Sequence, residues 1–298
     1  MSIVSAPITL NELLERSGID LKEVLVFRHR PFEPALNRAF DMIVSERPDL
    51  FECYQDCHGA RTEASLLKAK YVASLIRHAP GSALFVGLYE VRSHTRLTPD
   101  EIISRPKHRE LMGFGMGGVT ATQGRESIAV FEMPLLPWHV EWSGKLVVRW
   151  PGLERSWVRW ADRNNFEVEA IVLESLLTRR LPAWDDLMID WNEIALMPTH
   201  WQSAIGQWRG VYLITDNSDG KCYVGSACGS ENILQRWRDY AKSGHGGNVN
   251  LKGRSPANFR FAILQLVAPD LPREDVVKLE SRWKLRLNTH APAGLNAN

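Results

Sequence analysis

Apolar positions at helical spacing open the chain: Leu10, Leu13 and Leu14 recur behind Thr9, a natural N-cap, and Ser17-Gly18 marks the turn after them. The spacing of Leu36, Phe40 and Ile43 predicts a second helix over about 34–45, and a third is expected from Glu63 to His78. Strand patterns then take over. ALFVGLYEV (83–91) and Ser127–Met133 are continuous apolar runs, KLVVRW (145–150) is rich in valine, and Ser156–Trp160 follows a Pro151-Gly152 turn. From Thr178 to Trp208, two prolines, four tryptophans and an amphipathic stretch at 185–196 predict an ordered connector containing a short helix. Beyond it, GVYLIT (210–215) and Cys222–Gly225 flank Asp216-Asn217-Ser218-Asp219-Gly220, which predicts an antiparallel hairpin with Tyr212 and Tyr223 on one surface. Helical spacing resumes over 231–242, where Arg236 and Tyr240 at i and i+4 share a face. Phe259–Val267 alternates like a strand, and Pro272–Leu287 reads as a helix that buries Val276, Leu279 and Trp283 with Glu280 beside them.

This pattern predicts an α+β protein of two domains. A helix-plus-β-rich domain is expected over 1–180, the connector over 181–205 and a smaller domain over 206–298. The formal charge of +1 conceals a division: residues 206–298 carry +5 and the remainder −4, so a polyanion is expected to meet the C-terminal end. No uncharged apolar run is long enough to span a membrane, and the first eleven residues lack a basic stretch before an apolar core, so a cytoplasmic location is expected. Cys53, Cys57 and His58 are zinc-type ligands without a second close pair, so buried free thiols are the expected state of all four cysteines. Nine of the eleven tryptophans fall between Trp138 and Trp208, mostly as core residues, although one or two among Trp142, Trp150, Trp157 and Trp160 suit a cleft in which a base stacks. The run GFGMGG (113–118) lacks the Gly-Lys-Ser/Thr of a phosphate loop and reads as a plain loop.

Residues 208–298 resemble the GIY-YIG nuclease family: its two name motifs stand here as Gly210-Val211-Tyr212 and Tyr223-Val224-Gly225, followed in order by Arg236, Tyr240, Glu280 and Asn296. The resemblance implies an α/β sandwich with a small antiparallel or mixed sheet flanked by helices. It further implies hydrolysis of DNA phosphodiesters with one Mg²⁺ or Mn²⁺ per active site. By the same resemblance Tyr212 and Tyr223 are the active-site tyrosines, Arg236 is the essential arginine, Tyr240 stands where members carry Tyr or His, Glu280 is the metal-binding carboxylate and Asn296 the late asparagine. Lys221, His245, Lys252 and Arg254 are expected to contact nucleic acid. Ser226 departs from the lysine that some members carry directly after the second motif, and Lys221 is the expected substitute.

These residue types suit the reaction, which needs a nucleophilic water, charge neutralisation at the transition state and help for the leaving oxygen. A single carboxylate can hold a Mg²⁺ that keeps most of its waters, and arginine offers a planar fork of donors to phosphate oxygens. An ordinary tyrosine has a pKa of about 10, so Tyr212 serves as a base only where cations favour its phenolate. Contacts to phosphate carry no sequence information, so the first domain is expected to choose the DNA. Over one strand, ALFVGLYEV, it resembles PUA-like or EVE-like nucleic-acid-reading modules. A restriction or phage-defence endonuclease is the expectation, with a structure-specific repair nuclease and a non-catalytic nucleic-acid-binding module as alternatives. Cutting both strands with a single-metal site calls for a homodimer or two successive events.

Overall fold

The computed structural model describes residues 7–117, 124–152, 156–228 and 232–297. Gly118 of the glycine-rich run and Glu231, expected at the start of a helix, lie outside them. The chain is α+β and divides into two compact units, residues 1–178 and 179–298.

In the first unit the elements run α1 (Leu10–Arg16), β1 (Val24–His29), α2 (Pro34–Glu46), α3 (Pro48–Gln55), α4 (Ala60–Leu66), β2 (Tyr71–Arg77), β3 (Ser82–Glu90), β4 (Ser93–Leu97), α5 (Pro99–Ser104), α6 (Pro106–Gly113), β5 (Ile128–Glu132), β6 (Leu146–Arg149), β7 (Val158–Trp160) and β8 (Val168–Ile171). Thr9 starts α1 through a reciprocal capping box with Glu12. Six strands form one mixed sheet in the order β7-β1-β2-β3-β6-β8, while β4 and β5 pair apart from it.

The helix expected over 63–78 is a correction: α4 ends at Leu66, and Tyr71–Arg77 is strand β2. β2 lies parallel to β1 and antiparallel to β3, so it is covered by strands on both edges and its middle five residues are buried. A strand apolar on both faces carries no alternation to set it apart from a helix. On one face of the sheet, Val24 and Val26 pack with Leu10, Leu14, Phe85, Trp150 and Phe166. The alternate residues Phe27 and His29 face the other way, where the His29 ring meets Phe27 edge-on and also Phe51 and Tyr54 of α3.

The second unit contains β9 (Met188–Asp190), α7 (Thr199–Ile205), β10 (Arg209–Asp216), β11 (Cys222–Ala227), α8 (Ile233–Ser243), β12 (Phe259–Val267) and α9 (Arg273–Arg286). An antiparallel sheet runs β11-β10-β12-β9, which leaves β11 at an edge. The stretch expected to connect domains instead builds this unit: β9 pairs with β12, residues 191–196 form a 3-10 turn where a helix was expected, and Trp201 and Ile205 enter the core. Trp201 is 3% exposed and Trp237 is fully buried, so these tryptophans spend their area on packing.

Candidate active site

The two motif glycines are dictated by close approach. A Cβ on Gly210 would collide with the Gln265 backbone oxygen where β12 crosses, next to a register shift at Val211/Tyr212. A Cβ on Gly225 would lie 2.5 Å from the Tyr212 hydroxyl oxygen. The bare strand at Gly225 is what lets the Tyr212 ring lie across β11.

Register puts Tyr212 opposite Gly225 and Ile214 opposite Tyr223. Because strand side chains alternate, Tyr212, Tyr223 and Gly225 share one face, and Val211 and Ser226 share the other. On the first face α8 adds Tyr240. The Tyr212 and Tyr240 hydroxyls stand 3.3 Å apart, and the Tyr240 ring meets Tyr212 edge-on at 6.2 Å and Tyr223 at 6.3 Å. Arg236, one turn earlier on α8, hydrogen-bonds toward Tyr212. Asn232 caps the start of α8 by accepting from the Gln235 amide, and Gly244 closes its end in the left-handed region. Gly246 passes so close to the Tyr240 ring that no Cβ fits between them.

Tyr212 is fully buried, and burial, with the neighbouring Tyr223, pushes its pKa up to about 12 against the pull of Arg236. Burial raises Tyr240 further. Both are neutral phenols whose O–H groups can donate a hydrogen bond, so the phenolate required of a Tyr212 base is disfavoured in the protein alone.

Glu280 reaches the same strand from the other side. On α9 it accepts a short hydrogen bond from the Ser226 hydroxyl, and its second oxygen pairs with Lys284 Nζ at 2.8 Å. The tyrosine–arginine cluster and the carboxylate therefore converge on adjacent residues of an edge strand, Gly225 and Ser226, from opposite faces. Asn296 is 2% exposed and spends both side-chain polar atoms on Val224: its Oδ1 accepts from the Val224 amide at 2.9 Å and its Nδ2 donates to the Val224 carbonyl at 2.8 Å. It closes the open edge of β11 as a brace.

The residues expected to contact nucleic acid have separate fates. Arg254 is committed to the hairpin turn, with Nη1 on buried Asp216 at 2.6 Å and Nη2 on Asp219 at 3.0 Å, so it reads as a turn clamp in place of a phosphate contact. Lys221 donates to the Pro292 carbonyl at 3.0 Å, and His245 Nδ1 accepts from the Gly247 amide at 2.9 Å. Lys252 is exposed. Sequence reasoning missed Lys284, whose only signal was its i+4 position after Glu280 on a helical stretch.

Residues 209–296 match the family model of the GIY-YIG catalytic domain. The C-terminal unit thus carries a nuclease-type fold that acts on nucleic acid. Searches of curated proteins and of solved structures returned no match. Within the GIY-YIG domain, Tyr212 and Tyr223 stand on the hairpin that carries both name motifs, and Arg236 and Tyr240 stand on the helix that follows it.

Proposed function

We propose that the chain is a divalent-metal-dependent DNA endonuclease of the restriction or phage-defence kind, with the first unit selecting the DNA and the GIY-YIG domain cutting it. The observation that carries this reading is the convergence of Arg236 and three tyrosines with Glu280 on Gly225-Ser226. Arg236 offers phosphate oxygens a fixed fork of donors. Tyr212, held as a neutral phenol by burial, orients and hydrogen-bonds a water or phosphate oxygen, Tyr240 packs edge-on against its ring, and Tyr223 packs on Tyr240. Proton acceptance by Tyr212 requires a further cation beside it.

Glu280 and the Ser226 hydroxyl are hard oxygen donors, and no other acidic side chain is needed for an ion that retains its waters, so these residues fit Mg²⁺ or Mn²⁺. Bound there, the ion would neutralise charge on the phosphate and lower the pKa of water. Lys284 Nζ pairs with the other Glu280 oxygen at 2.8 Å, so an ion held there would share the carboxylate with that ammonium. One such site nicks one strand, so a double-strand break requires a homodimer or two events.

The test is nicking of supercoiled plasmid, modified phage DNA and branched oligonucleotides with Mg²⁺, by wild type, Glu280→Ala and Tyr212→Phe. Loss of cutting in Glu280→Ala with strong slowing in Tyr212→Phe is expected. Cutting confined to branches would favour a repair enzyme, and equal cutting by Glu280→Ala would remove the metal assignment.

A further inference from the structure

The face of the first sheet that packs against α3 should be apolar throughout, yet it holds three buried polar side chains. His29 on β1 is 2% exposed, and Gln55 on α3 and Ser74 on β2 are fully buried. Register sets Ser74 beside Phe27, whose side chain shares a face with His29. Ser74 Oγ donates to Gln55 Oε1 at 2.6 Å, which fixes the amide and directs its NH₂ elsewhere. Gln55 Nε2, His29 Nε2 and His58 Nε2 are all buried without a hydrogen-bond partner. The three side chains form one group: Gln55 reaches His29, and both imidazoles pack on the same Phe27 and Trp157 rings, with centroids 5.3 to 6.0 Å apart. Phe51 and Tyr54 close the shell around His29 at 5.3 and 5.5 Å. His58, Tyr54 and Trp157 are half-buried, so the group runs from the surface down to Gln55 and Ser74.

A buried polar atom without a partner is destabilising, and a ligand that pairs with the Gln55, His29 and His58 nitrogens would relieve it. The chemistry limits that ligand. Burial holds both imidazoles neutral, with pKa values lowered to about 3 for His29 and about 4 for His58. A neutral imidazole offers one N–H and one bare nitrogen, and the amide adds N–H donors, so the group supplies in-plane donors and acceptors between aromatic faces. That set lacks the cations a phosphate requires. Among the described residues no group of three or more His, Cys, Asp or Glu is placed to hold a metal ion. A planar, uncharged heterocycle with donors and acceptors on its edge matches it, which is the chemistry of a nucleobase taken out of its stack.

We propose that the His29–Gln55–His58 group, with Tyr54 and Trp157 at its rim, is a binding site for a single nucleobase, through which the chain selects DNA. The proposal rests on the reading that the first unit selects DNA. Gln55 and the two imidazoles read the base edge, and the aromatic rim stacks on its face.

The test uses the full chain carrying Glu280→Ala, so that DNA survives. Its histidine rings are labelled with ¹⁵N and titrated with deoxyadenosine, deoxycytidine and their N6-methyl, 5-methyl and 5-hydroxymethyl derivatives. At least one nucleoside is expected to move the His29 and His58 Nε2 resonances. In Gln55→Leu and His29→Phe its affinity, and that for duplex DNA containing the base, should fall at least tenfold, with the melting temperature unchanged or higher. A lowered melting temperature would leave the decision to the wild-type titration. Unmoved imidazoles, or variants that hold DNA as tightly as wild type, would overturn the site while leaving DNA selection by the first unit standing. A full chain that binds none of the duplexes would overturn both.

Discussion

Two polar clusters lie among aromatic rings in this molecule, and they are built in opposite ways. Tyr212, Tyr223, Arg236 and Tyr240 come from one hairpin and the helix after it, and the Tyr212 and Tyr240 hydroxyls satisfy each other at 3.3 Å. His29, Gln55, His58 and Trp157 come from β1, α3 and two separate loops, and three of their nitrogens stay unpaired. A cluster drawn from neighbouring elements leaves a spaced motif in the sequence. A cluster assembled over long range leaves none, and its unpaired atoms become its signature.

The largest test of the first cluster is Arg236→Ala. Removing a preorganised donor to a developing oxyanion costs about 10²–10³ in rate, and single-turnover nicking should slow by that much. A smaller effect would demote Arg236 to a packing partner of Tyr212. Next is Arg254→Ala, which takes the arginine from Oδ2 of the Asp216 carboxylate, 1% exposed, while Ser218 still donates to Oδ1, and should cost roughly 1.5–3 kcal/mol in urea unfolding with little direct effect on DNA affinity. The converse result would return Arg254 to the nucleic-acid interface. Gly225→Ala forces a methyl against the Tyr212 ring and should cost roughly 1–3 kcal/mol while slowing nicking, because the hydroxyl is displaced. An unchanged protein would show that the ring has room.

The last prediction concerns the second cluster. Its imidazoles have pKa values of about 3 and 4 folded, against 6.5 in the free side chain. Below pH 6.5 the unfolded chain therefore takes up protons that the folded one refuses, and the first unit loses stability as pH falls toward 4. Each imidazole contributes a slope of up to about 1.4 kcal/mol per pH unit in that window. Denaturation midpoints of wild type and His29→Phe between pH 7 and 4 measure it, and the variant's slope should be shallower. Equal slopes would mean that His29 is charged or solvated in the folded state.

Much of the GIY-YIG domain was legible. The Asp/Asn/Gly turn between two short apolar runs gives the hairpin, strict alternation gives β12 at Phe259–Val267, and helical spacing gives α8 and α9. Thr9 likewise marks the start of α1. Tyr71–Arg77 was misread because a strand buried on both faces loses its period. Residues 188–205 were misread because their partners, β12 and the second core, lie far along the chain. Glu280 was visible as a carboxylate, whereas its bonds to Ser226 and Lys284 depend on how α9 lies on β11.

By itself the sequence determined what local geometry can enforce: the hairpin and its tyrosines, the glycines that allow close approach, the capped helices and a basic C-terminal end. Only the tertiary structure decided that Gly225 and Ser226 gather two sets of side chains from opposite faces, that Arg254 clamps a turn, and that His29, Gln55 and His58 meet without partners. The physical reason is that hydrogen-bond satisfaction and burial are properties of side chains brought together by sheet pairing. Residue spacing constrains them only within a single turn, helix or hairpin.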